Sequence, residues 1–297
     1  MFPIIPADSV AGAEPNDEGI FGFGYATGAH TTVTNLVSNA GVVSTDVAGV
    51  GSNRNSLAAC EYGGDKGIFG YGATAPTVGT AVTNLVSNAG VVSTDVTGVG
   101  TSRRDLAACG YGEDKGIFGF GYFYTSRYSL TNLVSNAGVV STDVTGVGTT
   151  RYGLAACSYG EDKGIFGFGY TLVHVSMTNL VSNVGVVGTD VTGVGSASQH
   201  KAACGYGEDK GIFSFGTTSV TNLVSNVGVV ATDVTQVGTA RSALAATQYG
   251  GDKGIFGYGS AGGAVSMTNL VSNAGVVASD VTGVGTGRRD LGACSFN

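Results

Sequence analysis

Charge is what this chain has least of. Of its 297 residues 12% are charged, with 21 acidic against 14 basic side chains and a formal net charge of −7. Such a balance offers no basic stripe to a phosphate backbone or an anionic bilayer, so neither nucleic acid nor a membrane surface is an expected partner. No apolar run reaches the roughly 18 residues of a spanning helix, so no membrane insertion is expected. Segment 1–15 has neither a basic leader nor a long apolar stretch, and it does not read as a signal peptide. Tryptophan is absent and proline occurs four times. The three histidines, His30, His174 and His200, stand alone, and neither Cys-x-x-Cys nor His-x-x-x-His spacing occurs. No metal site and no cofactor is therefore expected. Five cysteines are an odd number, which argues against a disulfide framework.

What the chain has in abundance is glycine, 52 residues of it, and one block repeated six times. The phrase Thr-Asn-Leu-Val-Ser-Asn begins at Thr34, Thr83, Thr131, Thr178, Thr221 and Thr268. Gly-Ile-Phe begins at Gly19, Gly67, Gly116, Gly164, Gly211 and Gly254. The period of 43 to 49 residues is that of a propeller, a solenoid or an array. The cysteines share one frame position (Cys60, Cys109, Cys157, Cys204, Cys294), with Thr247 in the sixth place, so they read as small packing groups, reduced and buried.

Each block divides into four short strands. In one copy these are 106–111 (LAACGY), 116–122 (GIFGFGY), 130–135 (LTNLVS) and 139–147 (VVSTDVTGV), all rich in β-branched or aromatic residues and bounded by Gly, Asn or Asp. Four antiparallel strands per repeat make a propeller blade. The chain enters in the second strand of a block (17–25) and leaves in the first (290–296), so its two ends complement one another. The expectation is an all-β, six-bladed β-propeller over 17–297, with four antiparallel strands per blade and a closing blade shared between the N- and C-termini. Residues 1–16 are expected as an N-terminal arm.

The order Arg103, Leu106-Ala107-Ala108, Tyr111-Gly112, Ile117-Phe118-Gly119-Phe120-Gly121 and Asp143 resembles the kelch repeat, without that motif's outer-strand tryptophan. The resemblance implies a propeller used for binding. The YG-x-DKGIFGFGY blocks also resemble repeat proteins predicted in tailed phages and aquatic viral sequences. That likeness implies a virion or extracellular surface location.

In such a blade the loops after strands one and three share one face, and those after strands two and four share the other. The first set is nearly constant: an Asp-Lys turn (Asp114-Lys115 and its copies) and Ser-Asn-Ala/Val-Gly. The second set varies. After strand two come ATGAHTTV, ATAPTVGTAV, FYTSRYSL, TLVHVSM, TTSV and SAGGAVSM; after strand four come SNRNS, TSRRD, TTRYG, SASQH, TARSA and TGRRD. Variable loops on a rigid frame are where recognition sits. Tyr122, Phe123, Tyr124, Arg127 and Tyr128, with Tyr152 and His174 from neighbouring loops, are the expected ligand-binding groups. Arg103 and Arg151 belong to a recurrent set (Arg54, Arg241, Arg288) expected as a basic collar behind them, each either capping a strand or pairing with a carboxylate such as Asp46 or its repeats, or holding an anionic ligand.

Catalysis is not expected. Glu113, Glu161 and Glu208 fall on the constant face, away from the arginines, and no Ser/His/Asp order is present. A glycoside hydrolase remains the weaker alternative. The expectation is a non-catalytic binding or structural propeller, a virion or appendage component (phage tail, fibre or decoration). Its partners would be a protein scaffold or virion proteins on one face, or a cell-surface glycan on the other. The alternative is a free-standing lectin or protein-interaction propeller.

Overall fold

A computed structural model describes residues 17–297; the arm expected over 1–16 lies outside them. Among the described residues every regular element is a β-strand, and all pairings are antiparallel. Six sheets share one plan of inner, middle and outer strand. The second sheet is Ala58–Tyr62, Lys66–Gly70 and Thr83–Val86; the third is Ala107–Tyr111, Lys115–Gly119 and Thr131–Val134. Next come Ala155–Tyr159, Lys163–Gly167 and Thr178–Val181, then Ala202–Tyr206, Lys210–Ser214 and Val220–Val224, and sixth Ala245–Tyr249, Lys253–Gly257 and Thr268–Val271. The first sheet joins the far ends of the described chain. Gly292–Phe296 is its inner strand against Glu18–Gly22, with Thr34–Val37 outermost.

Two cycles of backbone hydrogen bonds tie these sheets together. On one side Gly63, Gly112, Gly160 and Gly207 each donate their N–H to the next sheet's Asp carbonyl at 2.7 Å; Gly250 donates to Asp17, and Asn297 returns the cycle to Asp65 at 3.0 Å. On the other side Asp105, Gly153, His200, Ala243, Asp290 and Ser56 each donate to the preceding member of the same series, at 2.7–3.1 Å.

The core is six layers rather than one. Each buried cluster straddles two successive sheets, as Cys60, Tyr62, Ile68 and Tyr71 do with Leu106, Ala108 and Phe118. Close approach rests on glycine notches. A Cβ at Gly70 would lie 2.7 Å from the tip of Phe118, and one at Gly116 would lie 2.6 Å from the Cys60 sulfur. The cysteine column is therefore a set of knobs, with the Thr247 methyl filling the equivalent notch at Gly19. All five thiols are free and buried, and burial pushes Cys204 up to about 12.

Two sequence expectations need correction. The middle strand stops at Gly119 instead of running to Tyr122, because Phe120 (φ +63°) and Gly121 (φ +98°) turn the chain. All six copies repeat this left-handed aromatic, a conformation costing roughly 1–3 kcal/mol that the buried ring must offset. The fourth strand expected over 139–147 is reduced to two bridges, Val134↔Val140 and Thr131↔Val144, whose register differs by one residue. Side chains have entered the ladder there: Ser141 Oγ accepts from Leu133 N–H, and the Asn132 amide donates to the Ser141 carbonyl. Among the described residues the fifth sheet alone keeps a short fourth strand, Val234–Thr235.

Candidate functional site

The arginines come first, because the structure moves them out of the site. Arg103 and Arg151 were expected in a basic collar, each capping a strand or paired with a carboxylate; both are completely buried, and the carboxylate pairing holds at 3.8 Å for Arg103 with Asp143 and for Arg151 with Asp190. Arg103 Nε donates to the Phe120 carbonyl (2.7 Å), Nη1 to the Thr101 carbonyl (3.1 Å) and Nη2 to Asn132 Oδ1 (2.6 Å). Its guanidinium stacks on the Tyr71 ring of the preceding sheet at 4.5 Å and lies 3.8 Å from Asp143. Asp143 in turn accepts from Thr101 and Asn132, so the joint is a closed network. Burial pulls the Arg151 guanidinium down to about 10 against the opposite pull of Asp190, which leaves it charged at neutral pH. A side chain with its donors committed between two sheets cannot grip a ligand. The fifth sheet has Ser198 in place of the arginine, and there Lys201 reaches over the Phe168 ring (4.9 Å) and donates to the Val220 carbonyl (2.6 Å).

The variable loops do meet. Backbone bridges pair each of five loops after a middle strand with the loop leading into that sheet's inner strand: Tyr25↔Arg289, Asn55↔Ala73, Arg104↔Tyr122, Tyr152↔Tyr170 and Ser242↔Ser260. Three of these loops are themselves small hairpins, one of them Tyr122–Phe123 against Ser126–Arg127. The loops are thus fixed by main-chain bonds independent of their side chains.

On this footing the aromatic side chains divide into two groups. Tyr122 and Tyr152 lie 4.3 Å apart, Tyr152 and Tyr170 5.5 Å, Tyr170 and His174 5.6 Å, forming a continuous ledge across two sheets. Arg104 stacks on Tyr122 at 4.8 Å and donates to the Pro76 carbonyl. Phe123 and Tyr124 form a separate pair, 4.3 Å apart, with Phe123 seated over Gly79 of the second sheet's loop. Tyr124 is 65% exposed and His174 is exposed too, while Arg127 and Tyr128 are half-buried. Burial and then the Asp105 charge push the Tyr122 phenol up.

Sequence reasoning missed Tyr170, which repeats Tyr122 one block later, and it missed the axis. Ser56, Asp105, Gly153, His200, Ala243 and Asp290, all at positive φ of 50–62°, form the hydrogen-bonded cycle at the centre of the variable face. Their identities are the last letters of the six loops into the inner strands, so the column was available to inspection. Asp105, His200 and Asp290 bring their ligating atoms within 4.8 Å of one another. Burial and the Asp105 charge push the Asp290 carboxyl up to about 6, against the pull of His200 and Arg289.

The opposite face is uniform. Asp114 pairs with Lys115 at 2.5 Å and accepts from Asn136 at 3.0 Å, and the other Asp-Lys turns repeat the pairing. Glu113, Glu161 and Glu208 line a funnel of ≈ 490 Å³ together with Glu61, Tyr111, Tyr159 and Lys210. Val42, Val91, Val139, Val186, Val229 and Val276, one per sheet, are each 63–66% exposed next to the constant turns. No protein-family model matches the chain, and no curated protein matches it.

Proposed function

We propose that the six sheets are the blades of a six-bladed β-propeller, its closing blade shared between the chain ends, and that it is a non-catalytic binding module. The two hydrogen-bond cycles and the pairing of Glu18–Gly22 with Gly292–Phe296 support the closed arrangement. The ligand is a surface glycan, read by the ledge Tyr122, Tyr152, Tyr170 and His174. The ledge itself carries this reading: four rings in succession, tilted or edge-to-face to one another and held by main-chain bridges, gather apolar surface with polar edges, which suits pyranose rings. Tyr124 and Tyr128 extend the contact area at its rim.

The repeated valines and Asp-Lys turns favour attachment of the constant face to a uniform scaffold, as a virion or appendage component requires. A glycan array tests the ligand. The wild-type chain should bind a restricted set of sugars, and Tyr122→Ala with Tyr152→Ala should weaken that binding by roughly tenfold or more, since each aromatic contact contributes ~0.5–1.5 kcal/mol beyond its area. Lys115→Ala with Lys163→Ala should leave it intact. Loss of binding from the lysine pair and none from the tyrosine pair would reverse the assignment of faces.

A further inference from the structure

We propose that Asp105, His200 and Asp290 bind one divalent transition-metal ion, such as Zn²⁺ or Mn²⁺, at the mouth of the central axis. These residues occupy alternate places in the six-membered hydrogen-bonded cycle, so three ligands converge on the axis from three directions. The intervening Ser56, Gly153 and Ala243 are small and leave the centre clear; a Cβ at Gly153 would already lie 3.3 Å from the His200 ring. The ligating atoms lie within 4.8 Å of one another, yet among the described residues no ion pair joins His200 to either carboxylate. Ligand atoms ~2.0–2.2 Å from one ion stand roughly 3.0–3.6 Å apart, inside the 4.8 Å limit, so side-chain rotations that draw the three groups in by about an ångström complete the contact.

The surroundings leave the negative charge poorly balanced. Arg289 approaches Asp290 at 3.7 Å, but Arg104 is engaged with Tyr122 and Pro76. The layer beneath the cycle consists of Leu57, Leu106, Leu154, Leu244 and Leu291, with Lys201 as its sixth member. The Lys201 ammonium turns outward to the Val220 carbonyl and does not neutralise the cluster. An apolar floor strengthens the attraction of two carboxylates for a cation, and one imidazole with two carboxylates is a donor set for zinc or manganese, water filling the open positions.

Calorimetric titration of the metal-stripped, tag-free full chain with ZnCl₂, and separately with MnCl₂, tests the site. One of the two ions should bind with a stoichiometry of one and raise the melting temperature. Asp105→Asn and His200→Asn, chosen because asparagine accepts positive φ, should each weaken binding by more than about tenfold while the metal-free melting temperature stays close to wild type. Should His200→Asn fail to fold, Asp105→Asn alone decides. Absence of saturable binding for both ions at millimolar concentration overturns the proposal. So does binding that survives both substitutions unchanged, which would place the ion elsewhere.

Discussion

With three of the five N–H donors of Arg103 committed, its removal strands Asn132 Oδ1 and two backbone carbonyls in a buried joint and takes the charge away from beside Asp143. Arg103→Ser should therefore cost about 3–5 kcal/mol in denaturant melts. The fifth sheet supplies the remedy: adding Leu106→Lys, to imitate Ser198 with Lys201, should restore part of that loss in a double-mutant cycle. Strict additivity of the two changes would refute the substitution of one cation for the other. The carboxylates of the same joints set the acid limit. Burial alone pushes the Asp143 carboxyl up, but bonds from Thr101 and Asn132 and the Arg103 charge outweigh it and hold it below the usual value. Asp46, Asp95, Asp190, Asp233 and Asp280 are lowered in the same way. A lowered folded value means stability that is complete above the unfolded carboxylate range near pH 4, and lost as pH falls through the folded one. Melting temperature should stay level down to about pH 5 and then fall steeply, and Asp143→Asn should make that fall shallower. The arginine position was legible in the sequence, but its burial was not. Its partner Asn132 stands 29 residues away, inside a phrase whose first Asn looks no different from its second.

At the scale of the strand and loop, alternation of small and large residues identified the inner and middle strands to within a residue or two at most ends. The exceptions have a common cause. A pattern of β-branched residues such as Val139 to Val147 cannot reveal that Ser141 and Asn132 side chains will take over backbone bonding positions. Nor can Phe-Gly-Phe-Gly-Tyr show that the second Phe turns left-handed to offer its carbonyl to Arg103. The variable loops were found by contrast between copies, and Tyr122, Tyr152 and His174 do come together; Tyr170, in the same frame position as Tyr122, escaped because the loop after it (TLVHVSM) lacks the aromatic and Arg cluster that marks FYTSRYSL. Because main-chain bridges hold these loops, Tyr124→Ala with Tyr128→Ala should shift the melting temperature by no more than a few degrees while reducing glycan retention on an affinity column. A large loss of stability would make those rings structural.

For the molecule as a whole, the first sheet is the most exposed point of failure. Its inner strand meets its middle strand across more than 270 residues of sequence, and both hydrogen-bond cycles pass through Asp290 or Asn297. Deleting 288–297 removes that strand together with Arg288 and opens both cycles. The melting temperature should drop by roughly 10 °C or more, and unchanged melting would contradict the closed arrangement. The glycine notches carry a further consequence for how such a chain folds. Cys60 fits Gly116, but Cys109 and Cys157 are shaped to fit it equally well, and every Phe of a middle strand matches nearly every notch. An incoming strand therefore meets several docking places of almost equal energy, and rings closed one sheet short compete with the native count during refolding. What lifts this degeneracy is irregularity. Lys201 lies over Phe168 where the other joints use an arginine, and Thr247 brings a methyl instead of a sulfur to the notch at Gly19, so the places where the repeat is imperfect set one joint apart from the rest.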